Sequence, residues 1–347
     1  MRVLVVNAGS SSLKLRVVDG GQVLGSADVE TDSEHLASRL DGLGPADAVG
    51  HRVVHGGETF SAPTLIDDAV VESLRRLIEL APLHNAAAVT AIEDARRVLP
   101  DAAHIAVFDT AFHHTLPDVA RTYLLPARFR ARGIRRYGFH GLSVQWVAER
   151  LRVPRLVVCH LGGGCSVTAV LDGRSIDTTM GFTPLEGVPM ATRAGSLDPG
   201  ALLYLLRHGV SLAELDDALE HKSGLTALAG SGDIAALEQD TSPETQLALA
   251  IYSYRIAQAV AAMTTALGGI DALAFTAGVG EHSARVRADI CAHLSFLGVL
   301  IDDAANNELR GEGDIAARTS GARVHVVTAR EDAVIARAVR KGSPVPT

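Results

Sequence analysis

Cysteine is scarce in this sequence. The chain of 347 residues has only Cys159, Cys165 and Cys291. Their spacing matches neither a set of metal ligands nor the disulfide framework of a small secreted domain. We therefore expect the chain to work in a reducing cytoplasm.

Positive charge is also low, because 32 Lys and Arg residues stand against 40 Asp and Glu residues, for a formal net charge of −8. Nucleic acids and anionic membranes are bound by basic surfaces, so neither is expected as a partner. Any positive charge that binds phosphate must be local. The composition, 47% hydrophobic and 21% charged, is ordinary for a globular protein with one or two cores.

Long uninterrupted apolar runs are missing. The apolar stretch at residues 3–6 is too short for a signal peptide. The most apolar long segment, residues 247–267, contains Arg255 and Gln258. These polar residues favour a buried helix over a membrane span.

Lysine is the rarest basic residue, with only Lys14, Lys222 and Lys341. Lys14 ends the segment NAGSSSLK, in which a glycine turn and three hydroxyls precede a compact positive charge of the kind that binds phosphate. The P-loop pattern GxxxxGK[ST] is absent from the sequence. Asn7 can present its amide oxygen to a hydrated metal ion, although a plain hairpin turn would also explain the segment.

Strand-like and helix-like segments alternate along the chain, which predicts an α/β fold with partly parallel sheets. The predicted strands are residues 2–6, 14–19, 22–29, 48–55, 103–108, 155–161, 166–172, 174–179, 272–276 and 323–327. The predicted helices are residues 68–80, 86–99, 199–208, 211–220, 243–267 and 331–340. We expect Asn85 to cap the second of these helices and Gly268 to end the fifth.

Two stretches of the chain share one pattern. Residues 4–20 align with residues 157–173 without gaps, at an offset of 153, and Gly9 is aligned with Gly162. Each copy reads strand, turn of small residues, strand, Asp-Gly turn, strand. This predicts a duplicated domain with a cleft between the copies, where Gly and Ser turns present backbone N–H groups to phosphate oxygens. Any β-meander has hydrophobic runs and glycines, so that simpler explanation stays open.

Two arginines lie in segments where an unpaired charge is costly. Arg52 lies in GHRVVHGGE and Arg193 in PMATRAGS, and each needs an anion, either a structural partner or a substrate. Asp109 ends a strand, where the sites of α/β proteins collect, and His140 stands in the glycine-flanked segment GFHG. Other histidines in these motifs are as readily structural: His55, His84 and His160.

An ordered set of segments resembles the acetate kinase family along almost the whole chain. These segments are NAGSSSLK, GHRVVHGGE, LAPLHN, VFDTAFH, YGFHG, CHLGGG, MGFTPLEGVPM, TRAGSLDP, HKSG, FTAGVGEH and TAREDAVIA. The resemblance implies two duplicated ribonuclease H-like domains, the actin-like ATPase fold, with a cleft between them. They are expected at residues 1–113 with 333–347, and at residues 114–332, the second carrying nucleotide loops and a dimer interface.

The implied activity is the reversible, direct in-line transfer of the γ-phosphoryl group of ATP to acetate, which gives acetyl phosphate and ADP. The resemblance implies Mg²⁺, with Mn²⁺ as an alternative, and a cytoplasmic homodimer. Because acetate is ionised at pH 7, no general base is needed. We therefore expect Asp109 to organise the metal and the arginines instead of removing a proton.

The resemblance also assigns roles by position. The catalytic residues are Asp109, His140 and Arg193, and the metal residues are Asn7 and Glu331. The acetate carboxylate is assigned to Arg52, and its methyl group to Val54, Leu83, Phe139 and Pro184. The nucleotide is assigned to Ser10, Ser12, Lys14, His160, Leu161, Gly162, Gly163, Gly164, Asp233, Ile234, Ala235, Gly278, Val279, Gly280, Glu281 and His282.

Three positions depart from the family pattern near the expected nucleotide. Gly163 and Arg330 stand where the family usually has Asn, and Ala235 stands where it commonly has Arg. Nucleotide preference is therefore open. Arg330 is expected either to compensate at the nucleotide or to pair with the adjacent Glu331.

Other functions remain open at this stage. A propionate or butyrate kinase would differ only in the size of its acid pocket. An ATP-driven conformational module like the Hsp70 ATPase would leave Arg52, Arg193 and His140 without a role. A catalytically dead nucleotide sensor would agree with the three departures at the nucleotide site.

Overall fold

The structure, a computed structural model, describes residues 1–8, 12–30, 43 and 45–342, without the side chains of Ser12, Val29, Glu30, Pro82 and Leu83. The strands are β1 Val3–Ala8, β2 Ser12–Asp19, β3 Gln22–Glu30, β4 Ala48–Val53, β5 Thr64–Leu65, β6 Ala103–Phe108, β7 Arg155–Leu161, β8 Cys165–Leu171, β9 Arg174–Thr178, β10 Ala272–Thr276, β11 Gly313–Asp314 and β12 Arg323–Val326.

The α-helices are α1 Asp68–Arg76, α2 Pro82–Val98, α3 Asp118–Arg121, α4 Ala127–Arg130, α5 Gly141–Leu151, α6 Pro199–Arg207, α7 Leu212–His221, α8 Gly224–Ala229, α9 Ile234–Leu237, α10 Pro243–Leu267, α11 Ala277–His282, α12 Ala284–His293, α13 Asp303–Glu308 and α14 Glu331–Gly342. Short 3₁₀ helices lie at Leu77–Leu80, Ala111–Thr115 and Ser295–Leu297.

Two six-stranded mixed sheets repeat one topology. The first has the order β3-β2-β1-β4-β6-β5, and the second has the order β9-β8-β7-β10-β12-β11. In both, an antiparallel meander leads into three parallel strands, and a short antiparallel strand closes the far edge. The predicted fold class, α/β with two duplicated ribonuclease H-like domains, is confirmed.

The gap-free alignment of the two meanders is wrong by one residue. Ala8 pairs with Leu13 across the first turn, whereas Leu161 pairs with Cys165 across the second. Four residues therefore separate the paired strands in the first copy and three in the second. The hydrophobic pattern could not reveal this, because both turns consist of small residues.

Helix α14 and helix α2 cover opposite faces of the first sheet. Ile335 and Val339 of α14 belong to one core cluster with Val3 of β1, while α2 packs on the other face. Gly50 of β4 makes the approach of α14 possible, since a Cβ at this residue would lie 2.6 Å from Cγ2 of Ile335. Burying Ile335 contributes roughly 2–3 kcal/mol of transfer free energy and fixes the start of α14 beside β1 and β4.

The prediction that Asn85 caps α2 is wrong. The helix begins at Pro82, whose fixed φ suits the first helical position. Asn85 lies inside the helix, where its Oδ1 accepts from the His55 amide at 3.0 Å and its Nδ2 donates to the His55 carbonyl at 3.1 Å. The buried amide thus ties α2 to the segment that follows β4.

Helix α10 has the predicted bounds, and Gly268 ends it with φ of +65° as expected. The helix is buried on one side only, because Leu247, Ile251 and Tyr254 are exposed on the other. No helix in the described part of the chain is long and apolar enough to cross a membrane.

Candidate active site

Strand ends of the first sheet bring distant polar residues together. Asn7 of β1 is in register with Arg52 of β4, and Asp109 directly follows β6, the next parallel strand. Glu331 begins α14, and its Oε2 lies 3.4 Å from Nδ2 of Asn7. These residues converge because the carboxyl ends of parallel strands share one edge of the sheet.

Arg52 is the centre of this group. Its Nε donates to Oδ1 of Asp109 at 3.1 Å, its Nη2 donates to Oδ2, and its Nη1 donates to Oδ1 of Asn7 at 3.1 Å. Glu331 Oε2 lies 3.6 Å from Nε. Burial opposes the charge, but the carboxylates of Asp109 and Glu331 outweigh it and raise the pKa of Arg52. Arg52 therefore has a structural anionic partner, the carboxylate of Asp109, which is one of the two alternatives predicted from the sequence.

Asp109 is fully buried. Burial and the neighbouring Glu331 raise its pKa to about 6, while Arg52 opposes the rise. One guanidinium engages both oxygens of Asp109, which favours the ionised form of the carboxyl group.

A cavity of about 320 Å³, here called the arginine cavity, adjoins this group. Its lining residues are Arg52, Val54, His84, Asp109, Phe139, His140, Gly163, Gly164, Met180, Pro184, Ala191, Thr192 and Arg193. The structure thus brings together every residue predicted as catalytic and every residue predicted to hold the acid except Leu83, whose side chain lies outside the described part.

Glu220 and His84 contact Arg193 and were not predicted as site residues. Glu220 accepts from Nε of Arg193 at 3.0 Å, and Nε2 of His84 lies 3.4 Å from Nη2 of Arg193. Burial, reinforced by Arg193 and Arg52, lowers the pKa of His84 to about 4, so the ring is neutral. Because arginine has only donors, Nε2 of His84 accepts. The motif LAPLHN contains this histidine, for which the sequence left a structural and a functional role open.

His140 and His160 form a stacked pair with ring centroids 4.0 Å apart. His140 precedes α5 in the left-handed region, with φ of +59°, and Gly138 has φ of +78°. Such a turn is strained for a non-glycine residue, and it directs the ring into the arginine cavity. Burial lowers the pKa of both rings, that of His160 to about 4.

A second cavity of about 260 Å³, here called the lysine cavity, lies on the other side of the stacked pair. Its lining residues are Val5, Asn7, Lys14, Arg16, His160, Ala277, Gly278, Glu281, Ala329, Glu331 and Asp332. Arg16 was not predicted as a site residue. It follows Lys14 by two positions on β2 and therefore points to the same side of the strand.

The lysine cavity contains the oxygen donors that a divalent metal would need. Asn7 and Glu331 supply an amide and a carboxylate oxygen, but no group of three or more His, Cys, Asp or Glu residues suitable for a metal occurs in the described part of the chain. Mg²⁺ keeps several waters and takes ligands from substrate phosphates besides one or two carboxylates. The donor set therefore fits Mg²⁺ bound together with phosphate.

The other predicted nucleotide residues lie around the second sheet. Asp233 caps α9 by accepting from the Ala235 amide at 3.0 Å, and Ala235 is exposed. The remaining residues of the glycine loop and of α11 follow β7 and β10: Gly162, Val279, Gly280 and His282. Leu161 and Ile234 are buried in the core, so only their backbone could meet a ligand. Ser10 and the Ser12 side chain lie outside the described residues.

Arg330 does not pair with Glu331. Its Nε donates to Oδ1 of Asp332 at 2.9 Å, and its Nη2 donates to the Gly21 carbonyl at 3.0 Å. The side chain is thereby held against the β2–β3 turn and the first turn of α14.

Known proteins share both the sequence and the structure. The model of the acetokinase family matches residues 34–337. The chain belongs to the acetokinase family. The acetate kinase of Nostoc punctiforme is 43% identical over 354 residues, which cover 95% of this chain and 87% of the relative. That of Thermosynechococcus vestitus is 46% identical, covering 86% and 75%.

Two solved structures are also similar. A propionate kinase from Francisella tularensis has a TM-score of 0.90 at 34% identity, covering 97% of this chain and 98% of that one. The Porphyromonas gingivalis acetate kinase has a TM-score of 0.88 at 33% identity, covering 98% and 99%. Membership of the acetokinase family makes the chain an ATP-dependent phosphotransferase that needs a divalent metal, and the resemblance inferred from the sequence is confirmed.

Proposed function

We propose that the chain is an acetate kinase, which transfers the γ-phosphoryl group of ATP to acetate directly, in line and reversibly, with Mg²⁺. The observation that carries this is the convergence of Arg52, Arg193, His140 and Asp109 on one cavity with a small apolar wall. That cavity adjoins the lysine cavity through the stacked pair His140–His160 and through the hydrogen bond from Arg52 to Asn7.

The arginine cavity receives the acid in this proposal. Arg52 and Arg193 neutralise the acetate carboxylate and the transferred phosphoryl group, two anions that would otherwise repel. Acetate is ionised at pH 7, so no side chain removes a proton from it. Asp109 instead fixes the guanidinium plane of Arg52 by contact at two points.

The apolar wall sets the length of the acid. Val54, Phe139 and Met180 are almost fully buried and, with Pro184, offer the methyl group a dry surface. We place Leu83 with them as predicted. Because each added methylene in a fixed apolar pocket changes discrimination by roughly 1–3 kcal/mol, acetate is preferred over propionate and propionate over butyrate.

The lysine cavity receives the triphosphate. Lys14 contacts phosphate oxygens, and the start of the 278–282 segment lines the same cavity. The loop at 162–164 reaches the arginine cavity instead, through Gly163 and Gly164, where its backbone would meet the transferred phosphoryl group. We assign the remaining nucleotide contacts as predicted, including Ser10, Ser12, His160 and residues 233–235. Asn7 and Glu331 would hold Mg²⁺, which neutralises phosphate charge when bound; Mn²⁺ is an alternative.

The test is an assay of acyl phosphate formation. ATP, Mg²⁺ and either acetate, propionate or butyrate are incubated with hydroxylamine, which traps an acyl phosphate as the hydroxamate, with a no-acid control. We expect acetate to give the largest kcat/KM. Faster turnover of butyrate would refute the substrate assignment, and no trapped product with any acid would favour a nucleotide sensor.

We also propose a homodimer that forms through α6 and α10. Helix α6 is strongly apolar, yet none of its residues is buried. Leu203 and Tyr204 of α6 are about half exposed, as are Leu247 and Tyr254 of α10. Exposed apolar patches are typical of interaction sites. In sedimentation, the unaltered chain should be a dimer and Leu203→Asp a monomer. A dimer in both proteins would refute this interface, and a monomer in both would refute the homodimer.

Two further proposals concern the arrangement and location of the chain. Residues 1–113 with 333–347 form the first domain, which agrees with the packing of α14 on β1 and β4, and residues 114–332 form the second. The enzyme works in the cytoplasm, where its three buried free cysteines would remain reduced.

A further inference from the structure

Three histidines, His113, His140 and His160, share one arrangement, a serine hydroxyl on the Nδ1 atom. All three serines are fully buried. The pairs and their Nδ1–Oγ distances are His113 with Ser175 at 2.8 Å, His140 with Ser166 at 3.1 Å, and His160 with Ser143 at 2.9 Å.

The tautomer of His113 follows from its second contact. Its Nε2 lies 2.9 Å from the carbonyl oxygen of Phe139, which can only accept. Nε2 must therefore carry the proton. Burial lowers the pKa of His113 to about 4, so the ring is neutral and Nδ1 accepts from the hydroxyl of Ser175.

The same tautomer follows for His140 and His160 by a different argument. In the described part of the chain, Ser166 and Ser143 have no hydrogen-bond partner for their hydroxyls except these rings. A buried hydroxyl that fails to donate loses its hydration without replacement, which is costly. Each hydroxyl therefore donates to Nδ1, which leaves the proton of each neutral ring on Nε2.

The Nε2 atoms face the two cavities. Nε2 of His140 lies 3.2 Å from the point that a Cβ of Gly164 would occupy, so the missing side chain leaves space beside it. The ring of His160 lines the lysine cavity. Neither Nε2 has a hydrogen-bond partner among the described residues.

The two serine contacts cross. Ser143 lies in α5, the helix that follows His140, but contacts His160 at the end of β7. Ser166 lies in β8, which follows β7, but contacts His140. Each contact thus joins the segment at the start of α5 to the β7–β8 hairpin. Together the two contacts fix α5 against that hairpin.

We propose that Ser166 and Ser143 are positioning residues, which hold His140 and His160 as a stacked pair of neutral Nε2–H donors, one facing each cavity. The inference deepens the proposed function and rests on it for its catalytic meaning. A neutral donor can hydrogen-bond a phosphoryl oxygen without first taking a proton from water. It also lets two imidazole rings stack without charge repulsion, while Arg52, Arg193 and Lys14 supply the positive charge.

The tautomers can be measured without any substrate. In protein labelled with ¹⁵N-histidine, NMR correlations at pH 7 between the ring nitrogens and the carbon-bound ring protons report the tautomer. They should show an unprotonated Nδ1 and a protonated Nε2 for both His140 and His160. Ser166→Ala should change the spectrum of His140 and Ser143→Ala that of His160, while His113 serves as an unchanged reference. An Nδ1–H tautomer or an imidazolium in the unaltered chain would overturn the proposal whether or not the protein phosphorylates acetate.

Kinetics then test the catalytic consequence. Ser166→Ala should lower kcat roughly tenfold, by analogy with the lower end of the effect for hydrogen-bond partners of metal-bound histidines, with little change in the KM for acetate. Ser166→Thr, which keeps the hydroxyl, should recover part of the loss. The matched control is Ser253→Ala, because the buried Oγ of Ser253 has no partner among the described residues. Unaltered kcat in a folded Ser166→Ala variant would contradict a positioning role.

Discussion

Arg52 and Asp109 meet in a two-point ion pair, with Nε of the arginine 3.1 Å from Oδ1 and Nη2 on Oδ2, although 57 residues separate them in the chain. The carboxylate is fully buried, and the arginine, whose side chain is 15% exposed, lines the arginine cavity. One side chain therefore has two tasks, since it neutralises a buried charge and faces the proposed substrate.

Removal of either arginine should abolish most activity. Arg52→Ala and Arg193→Ala are each expected to reduce kcat/KM by about 10³-fold, the scale of a lost transition-state arginine. Arg52→Ala should also raise the KM for acetate, because it removes a contact to the carboxylate. Near-wild-type turnover in either variant would exclude that arginine from the mechanism.

The two variants should differ in stability. Arg52→Ala leaves Asp109 buried and unpaired, which is expected to cost about 3–5 kcal/mol of unfolding free energy. Arg193→Ala leaves Glu220, whose side chain is 19% exposed and can be hydrated, so its loss should be smaller. Urea unfolding of both variants at one protein concentration measures the difference. Equal losses would show that the buried ion pair is not the cause.

Enlarging the apolar wall should relax the preference for short acids. Val54 is 5% exposed and lines the arginine cavity. Val54→Ala should increase kcat/KM for propionate relative to acetate by roughly tenfold, the value of one methylene in a fixed pocket. The matched control is Val53→Ala, because Val53 is equally buried but belongs to the core on the other side of β4. The same change of preference in both variants would argue against the assigned pocket.

Nucleotide selection should be weak in the unaltered enzyme. Ala235 is exposed and cannot stack on a base, while Lys14 and Gly278 line the lysine cavity proposed for the phosphates. We expect a small difference in kcat/KM between ATP and GTP. Ala235→Arg should tighten ATP binding by roughly 1 kcal/mol if the new cation stacks on the base. A strong existing preference for ATP that this substitution leaves unchanged would place base recognition elsewhere.

Acid should destabilise the fold through histidines that are buried as neutral rings. His51 and His104 are in contact, with Nε2 of His51 3.0 Å from Nδ1 of His104, and burial lowers the pKa of both. Below about pH 6.5 the unfolded chain binds protons that the folded chain excludes, so the free energy of unfolding falls as the pH falls. Each such histidine contributes a slope of at most about 1.4 kcal/mol per pH unit.

A substitution isolates the contribution of His51. Urea unfolding at pH 7.5 and pH 5.5 should show a smaller loss of stability on acidification for His51→Phe than for the unaltered chain. His208→Phe replaces an exposed histidine and serves as the control, which should keep the original pH dependence. An unchanged slope in His51→Phe would mean that this ring does not resist protonation in the fold.

Much of the fold could be predicted, because strands and helices carry their own hydrophobic periods and turn residues. The predicted bounds of α10, its end at Gly268 and β6 at 103–108 agree with the structure. The failure at Asn85 arose because its side chain serves His55, a residue 30 positions away in the chain. A local capping rule cannot detect a partner at that distance.

The site was predictable to the extent that its residues lie in recognisable motifs. The motifs located Arg52, Asp109, His140 and Arg193, and the structure places all of them on one cavity. Side-chain partners were not predictable, since Glu220 and the two serines on the stacked histidines have no local pattern that links them to their partners. Arg330 shows the same limit, because its choice of Asp332 over the adjacent Glu331 depends on where α14 begins.

Helix α14 is synthesised last but packs on the sheet that is synthesised first. Glu331 lies 324 residues after Asn7 in the chain, yet the two side chains are hydrogen-bonded. A ribosome must therefore deliver more than 330 residues before the first sheet gains the helix that covers one of its faces and the lysine cavity gains the carboxylate of Glu331. Until then the groove at Gly50 is uncovered, and the proposed metal site lacks Glu331.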